Sequence, residues 1–210
     1  MHSFDGLCTA QVYSLSTNSW KEIQLDERIL DFVVDYQVVY SNGVCYWYYW
    51  NNELTITSFD FGDEVFCNIP VPDNDEGEAK DWDELANWTR IGVWNESLVL
   101  FYYAGEAPKV IEMWVMDSYS DGDSDDERSD SWTKYLTIGP LVGIAQPLAI
   151  WGKDQLFMET ESGEIISYDL STEEFGDRSI SLKWYNSYRL VFYVKSLVSL
   201  LKREGREARP

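Results

Sequence analysis

Apolar and polar positions along the chain alternate in short runs broken by polar turns, the pattern of half-buried strands. Ile165, Tyr168, Leu170 and Phe175 flank the polar turn Ser171-Thr172-Glu173-Glu174. This stretch reads as a strand, a tight turn and the start of a second strand. The unit recurs. Tyr13–Trp20 (YSLSTNSW) aligns without gaps on Tyr168–Phe175 (YDLSTEEF), and Phe59–Phe66 (FDFGDEVF) covers the same eight positions. A looser copy runs from Met113–Asp117 to Ser131–Lys134, interrupted by an acidic insertion. The closing aromatics Trp20, Phe66, Trp132 and Phe175 are 46, 66 and 43 residues apart. The long interval holds two insertions, and removing roughly 20 residues restores a period of about 45, the length of a propeller blade. The competing expectation is an antiparallel sandwich with coincidentally similar hairpins.

Further strands fill the units. Residues 11–25 form the first hairpin, and Asp26–Asp35 a connector. Tyr36–Tyr40 leads into Asn42-Gly43, a hairpin-turn signal because both positions tolerate positive φ. The aromatic strand Val44–Trp50 follows, then the turn 51–53 and the strand Leu54–Phe61. The segment Phe66–Pro72 carries two prolines, which restrict it to an edge or an exit. Strands are expected at Arg90–Trp94, Ser97–Tyr103, Val110–Met116 and Thr133–Ile138. Gly139–Pro147 reads as an irregular connector. Leu148–Trp151, Gln155–Thr160 and Glu164–Leu170 complete another unit, and the apolar run Asn186–Leu201 reads as closing strands. The expected architecture is an all-β, partial propeller-like (kelch-like) array of antiparallel blades over residues 1–201, followed by a charged tail at 202–210.

Composition adds sign and compartment. Aromatics make up 16 % of the chain, with 10 Trp and 14 Tyr, which suits sheets whose large rings fill the gaps between layers. The formal charge is −21, from 37 acids against 16 bases. That argues against a nucleic-acid groove and favours cationic partners. Cys8, Cys45 and Cys67 are an odd number without paired spacing and read as free thiols in a reducing compartment. With no apolar leader and no run of 18 apolar residues, a cytoplasmic protein that does not enter the membrane is expected.

Catalytic signatures are sparse. His2 is the only histidine and sits in the first ten residues, an unsuitable anchor for a Ser-His-Asp or Cys-His arrangement. The run Asp121-Gly122-Asp123-Ser124-Asp125-Asp126 suggests a calcium loop, but an EF-hand needs Gly sixth and Glu twelfth, where this chain has Asp126 and Trp132. Neither a metal site nor a cofactor is expected. A propeller glycosidase is the enzymatic alternative, with no carboxylate pair singled out by spacing. Asp60, Asp117 and Asp169 recur at one point of the repeat and are expected to cap turn amides rather than catalyse.

The blade pattern resembles the F-box-associated domain of plant F-box proteins. The stretches that carry it are Ala10–Ile23, Asn42–Trp47, Ser58–Pro72, Trp94–Leu100, Ile111–Tyr119, Ser131–Leu141, Ile166–Phe175 and Tyr193–Leu200. Within that family the wording of Ile138–Trp151 is most similar to the S-locus F-box proteins. The resemblance implies a non-catalytic substrate-binding module of an SCF-type ubiquitin ligase. It implies basic pistil ribonucleases as targets and the pollen-tube cytoplasm as the place of action, the alternative being a general F-box-associated protein-binding module with another target. The F-box that would bind a Skp-type adaptor, and through it a cullin, has no counterpart here. The kelch double glycine is missing as well.

Charge supplies the candidate contact residues. Two insertions, Asp73–Glu84 and Asp117–Asp130, hold 14 of the 37 acids. Asp73, Asp75, Glu76, Glu78, Asp81, Asp83 and Glu84 in the first, with Asp121, Asp123, Asp125, Asp126 and Glu127 in the second, are expected to flank a surface that attracts a basic partner. The bland alternative is a pair of solvated loops that keep the protein soluble.

Overall fold

The computed structural model describes residues 9–24, 38–50, 54–72, 89–103, 108–117 and 132–181. Fourteen strands account for nearly all of them. They are β1 (Thr9–Ser14), β2 (Ser19–Gln24), β3 (Val38–Ser41), β4 (Val44–Trp50), β5 (Leu54–Asp60), β6 (Val65–Pro70), β7 (Thr89–Trp94) and β8 (Ser97–Tyr103). The series continues with β9 (Lys109–Met116), β10 (Trp132–Leu141), β11 (Ile144–Trp151), β12 (Gln155–Thr160), β13 (Glu164–Asp169) and β14 (Glu174–Ser181). All pairing is antiparallel and between sequence neighbours. β3–β6, β7–β10 and β11–β14 each form a four-stranded meander, and β1 with β2 a hairpin.

Register confirms the repeat. Tyr13 stands opposite Trp20, Phe59 opposite Phe66 and Tyr168 opposite Phe175. The rings of these three pairs lie 5.0, 4.6 and 5.1 Å apart. The hairpin β1–β2 therefore corresponds to the third and fourth strands of the larger sheets. Asn42 and Gly43 turn with φ of 49° and 85°, as the Asn-Gly signal requires.

The three sheets stack in series, not as two layers. Strand β8 is buried on both faces, which its uninterrupted apolar sequence demands. Val99, Phe101 and Tyr103 join Ile111 and Met113 in a core shared with Ile150, Leu156, Met158 and Tyr168 of the third sheet. Leu98, Leu100 and Tyr102 turn the other way, with Ile91, onto Tyr48, Ile56 and Ile69 of the first sheet. The first strands β3, β7 and β11 neighbour one another, so the sheets lean together along those strands. This is a blade arrangement, and it excludes the two-layer sandwich.

One segment departs from expectation. Gly139–Pro147 is not an irregular connector: β10 continues to Leu141, and β11 begins at Ile144 after the turn Val142-Gly143. The prolines misled because both strands are sheet edges, where a missing N–H is tolerated. Pro140 falls at a register shift between Ile138 and Leu141. Gly139 is needed there. Its φ is +134°, and an added Cβ would lie 2.7 Å from the Lys109 carbonyl oxygen. Gly139→Ala is expected to destabilise the protein by about 1–3 kcal/mol, read from the midpoint of urea unfolding.

Candidate functional site

Two structured regions and one charged seam are candidates for function. The first region lies between the second and third sheets, where polar side chains meet beside the first strands. Arg90 on β7 donates through Nη2 to Gln146 Oε1 on β11 at 2.5 Å, and through Nη1 to the Tyr48 hydroxyl at 3.2 Å. Gln146 Nε2 donates to Glu159 Oε2 on β12 at 2.6 Å, while the Tyr103 hydroxyl lies 3.5 Å from Gln146 Oε1. Tyr48 donates to the Thr89 carbonyl at 3.1 Å, and buried Lys109 donates to the Ala145 carbonyl at 2.8 Å. Burial pushes the Tyr103 phenol up to about 12, against the opposing pull of the Arg90 charge.

Chemically this cluster is a tie rather than a reaction centre. Its polar atoms are spent on one another, and no buried side-chain N or O among the described residues lacks a partner. Glu159 is the only acid among the buried residues described, so no pair of buried carboxylates faces a common space there. Among the described residues no group of three or more His, Cys, Asp or Glu could hold a metal ion. Cys45 and Cys67 are free thiols, and burial raises the first.

The second region is one end of the stack, where the tight turns between first and second strands touch. Ser41 Oγ donates to the Glu96 carbonyl at 3.0 Å, and the Trp94 indole N–H donates to the Lys153 carbonyl. At the same end of the sheets, Asp60 Oδ1 accepts the amides of Gly62 and Asp63 at 2.6 and 3.1 Å. Asp169 Oδ1 accepts those of Ser171 and Thr172 at 2.9 and 3.0 Å. These acids cap their turns. Asp117 differs, accepting the Thr133 hydroxyl at 3.0 Å. The Thr172 and Ser171 amides hold the Asp169 carboxyl below its ordinary range. A depressed carboxylate stabilises the fold above the ordinary aspartate pKa, and that contribution is lost as pH falls through the depressed value. Asp169→Ala is therefore expected to lower the melting temperature at neutral pH, the gap to wild type closing in acid.

The seam lies between the first and second sheets. Trp132, the first residue of β10, donates its indole N–H to the Pro70 carbonyl at the end of β6 at 2.8 Å. Tyr102 donates to the Pro72 carbonyl at 3.0 Å. Val71, Trp114, Met116 and Trp132 pack together on the core below. Glu112 bridges to Lys134 at 2.5 Å, with Lys134 5.5 Å above the Trp114 ring. All twelve acids singled out from the sequence lie outside the described residues. What is described is where their segments attach. The stretch beginning at Asp73 leaves from Pro72, and the stretch ending at Ser131 returns at Trp132, so the two stems share this seam.

Sequence reasoning missed the polar tie altogether. Arg90 and Gln146 stand 56 residues apart, Gln146 falls in the stretch that reads as an irregular connector, and a lone polar residue in a strand, such as Glu159, reads as solvent-facing. The repeat itself was the one available signal, since it placed β7, β11 and β12 at neighbouring positions in their units.

A stack of antiparallel blades, with polar groups paired off between the sheets, defines a propeller-type fold. The chain matches the F-box associated beta propeller domain over residues 2–200. It belongs to that family, whose domain is the substrate-recognition part of F-box proteins. No curated protein matches the chain. Among the described residues no helix is long and apolar enough to cross a membrane.

Proposed function

We propose that this domain holds a basic protein substrate for ubiquitination by an SCF-type ligase. The Skp-type adaptor and the cullin would be engaged through an F-box and not through this module. Basic pistil ribonucleases, the targets that the resemblance to S-locus F-box proteins implies, are the substrate class to test first. The observation that carries the reading is the contact between Trp132 and Pro70. It sets the point where the chain enters the first acidic insertion beside the point where it leaves the second, and the two insertions hold 14 of the 37 acids. Charge concentrated in this way draws an oppositely charged partner from a distance and raises its encounter rate by roughly 10–1000-fold.

Replacing the fourteen acids of 73–84 and 117–130 with their amides tests this. With a basic ribonuclease as probe at low salt, the association rate constant is expected to fall at least about tenfold, with little change in dissociation. An unchanged association rate would rule steering out.

A further inference from the structure

The gap between the second and third sheets is finished differently from the seam between the first and second. At that seam Trp132 on β10 bridges the sheets with its indole N–H, which goes to the Pro70 carbonyl. Phe175 on β14 holds the same place in its repeat, as the closing aromatic of the third sheet. A phenyl ring has no N–H to give, and Phe175 stays 47 % exposed. Its ring lies 5.1 Å from that of Tyr168, which belongs to the core shared by the second and third sheets. Phe175 therefore rims the gap from the third sheet.

Tyr135 rims it from the second. It is the extra residue of a bulge in β10, where the register shifts between Lys134 and Leu136, and a bulge re-aims the side chain it carries. Tyr135 is 54 % exposed, with its ring 4.5 Å from that of Trp94. Trp94 packs against the same core and donates to the Lys153 carbonyl on the facing turn. Each exposed ring thus stands on a more deeply buried aromatic partner, one pair on either side. Carboxylates lie beside both pairs. Burial, and then the charge of nearby Glu173, push the Tyr168 phenol up. Asp117 accepts the hydroxyl of Thr133, two residues before Tyr135, at 3.0 Å. Lys153 adds one positive charge against them, while Lys134 is turned to the other face, bridged to Glu112 above Trp114.

We propose that this gap is a docking groove for an arginine side chain of a basic partner, the guanidinium stacking on the exposed rings of Tyr135 and Phe175 with Glu173 and Asp117 as its counter-charges. Arginine suits the site better than lysine. Its planar head lies flat on an aromatic face and keeps its edge N–H groups free to donate to carboxylates. The inference rests on the reading of a basic protein substrate given above, and names where such a partner is gripped once the acidic insertions have drawn it in.

NMR titration of the full chain tests the groove, with acetyl-Gly-Arg-Gly amide as the probe and its citrulline counterpart, similar in shape but uncharged, as the control. The arginine peptide is expected to shift the backbone amides of residues 133–136 and 173–176, and the citrulline peptide to leave them in place. Tyr135→Ala and Phe175→Ala are each expected to weaken binding at least about threefold, while Tyr135→Phe, which keeps the ring, binds as the unmodified chain does. Both rings are exposed, so these variants keep the fold, and unchanged amide shifts in β8 and β12 verify it. No shift in either stretch, equal shifts with the citrulline peptide, or full affinity in Tyr135→Ala overturns the proposal. Shifts that follow protein concentration rather than peptide would give the groove to a second copy of the chain and overturn it as well. The substrate reading fails separately. If arginine binds here while neutralising the insertions leaves ribonuclease association unchanged, the groove stands and the steering falls; the converse result keeps the steering and removes the groove.

Discussion

Phe101→Ala is expected to remove about 3–5 kcal/mol of stability. The ring is 1 % exposed and belongs to the core that joins the second and third sheets. Gly92 on the adjacent strand lies beside it: a Cβ at that position would sit in ordinary contact with Phe101 Cε2 at 3.5 Å and tightly against Val99 Cγ2 at 3.1 Å. Both faces of the second sheet are packed, so neighbouring side chains have little freedom to collapse into the vacated space, which puts the site among the more costly truncations. Against a typical total of about 5–15 kcal/mol, such a loss leaves the variant close to its unfolding threshold. Urea unfolding followed by tryptophan fluorescence measures it. A loss under about 1 kcal/mol would mean that the third sheet does not close over the ring.

Gln146→Leu is the second large effect, and it acts through polarity rather than volume. The side chain is both acceptor for Arg90 and donor to Glu159. Leucine fills nearly the same space and leaves both charged groups short of a partner. Each stranded group costs about 1–3 kcal/mol, and more where it keeps its charge. The asymmetry of buried polar pairs makes a sharper statement. Adding Glu159→Leu removes one of the stranded groups, so the double variant is expected to be less destabilised than the sum of the single changes. The coupling should exceed about 0.5 kcal/mol in a double-mutant cycle. Strict additivity would show that the three side chains do not act as one unit.

How much of this was legible in the sequence differs by level. The repeat was, because a tyrosine or phenylalanine facing an aromatic across a tight turn leaves the same eight-residue trace at Tyr13–Trp20, Phe59–Phe66 and Tyr168–Phe175. So were the turn roles of Asp60 and Asp169, since a carboxylate one residue past a strand aromatic has amides within reach. The continuation of β10 and β11 through Gly139–Pro147 was not. Glycine and proline mark a break in an isolated strand, and only their place at sheet edges makes them compatible with pairing. The tie through Arg90, Gln146 and Glu159 left only the repeat as a signal, for a different reason. It depends on which strands become neighbours across two sheets, and no local pattern encodes that. The seam lies between these cases. The acidic insertions were plain from composition, but the meeting of Trp132 with Pro70 required the third dimension.

That seam carries the functional reading, and ubiquitin transfer tests it most directly. The full chain, joined to an F-box and assembled with its Skp-type adaptor and cullin, should modify a basic ribonuclease. Transfer should drop at least about tenfold when the two insertions are neutralised. Transfer that is the same without this domain, or indifferent to the loss of those acids, would contradict a basic substrate held at the seam.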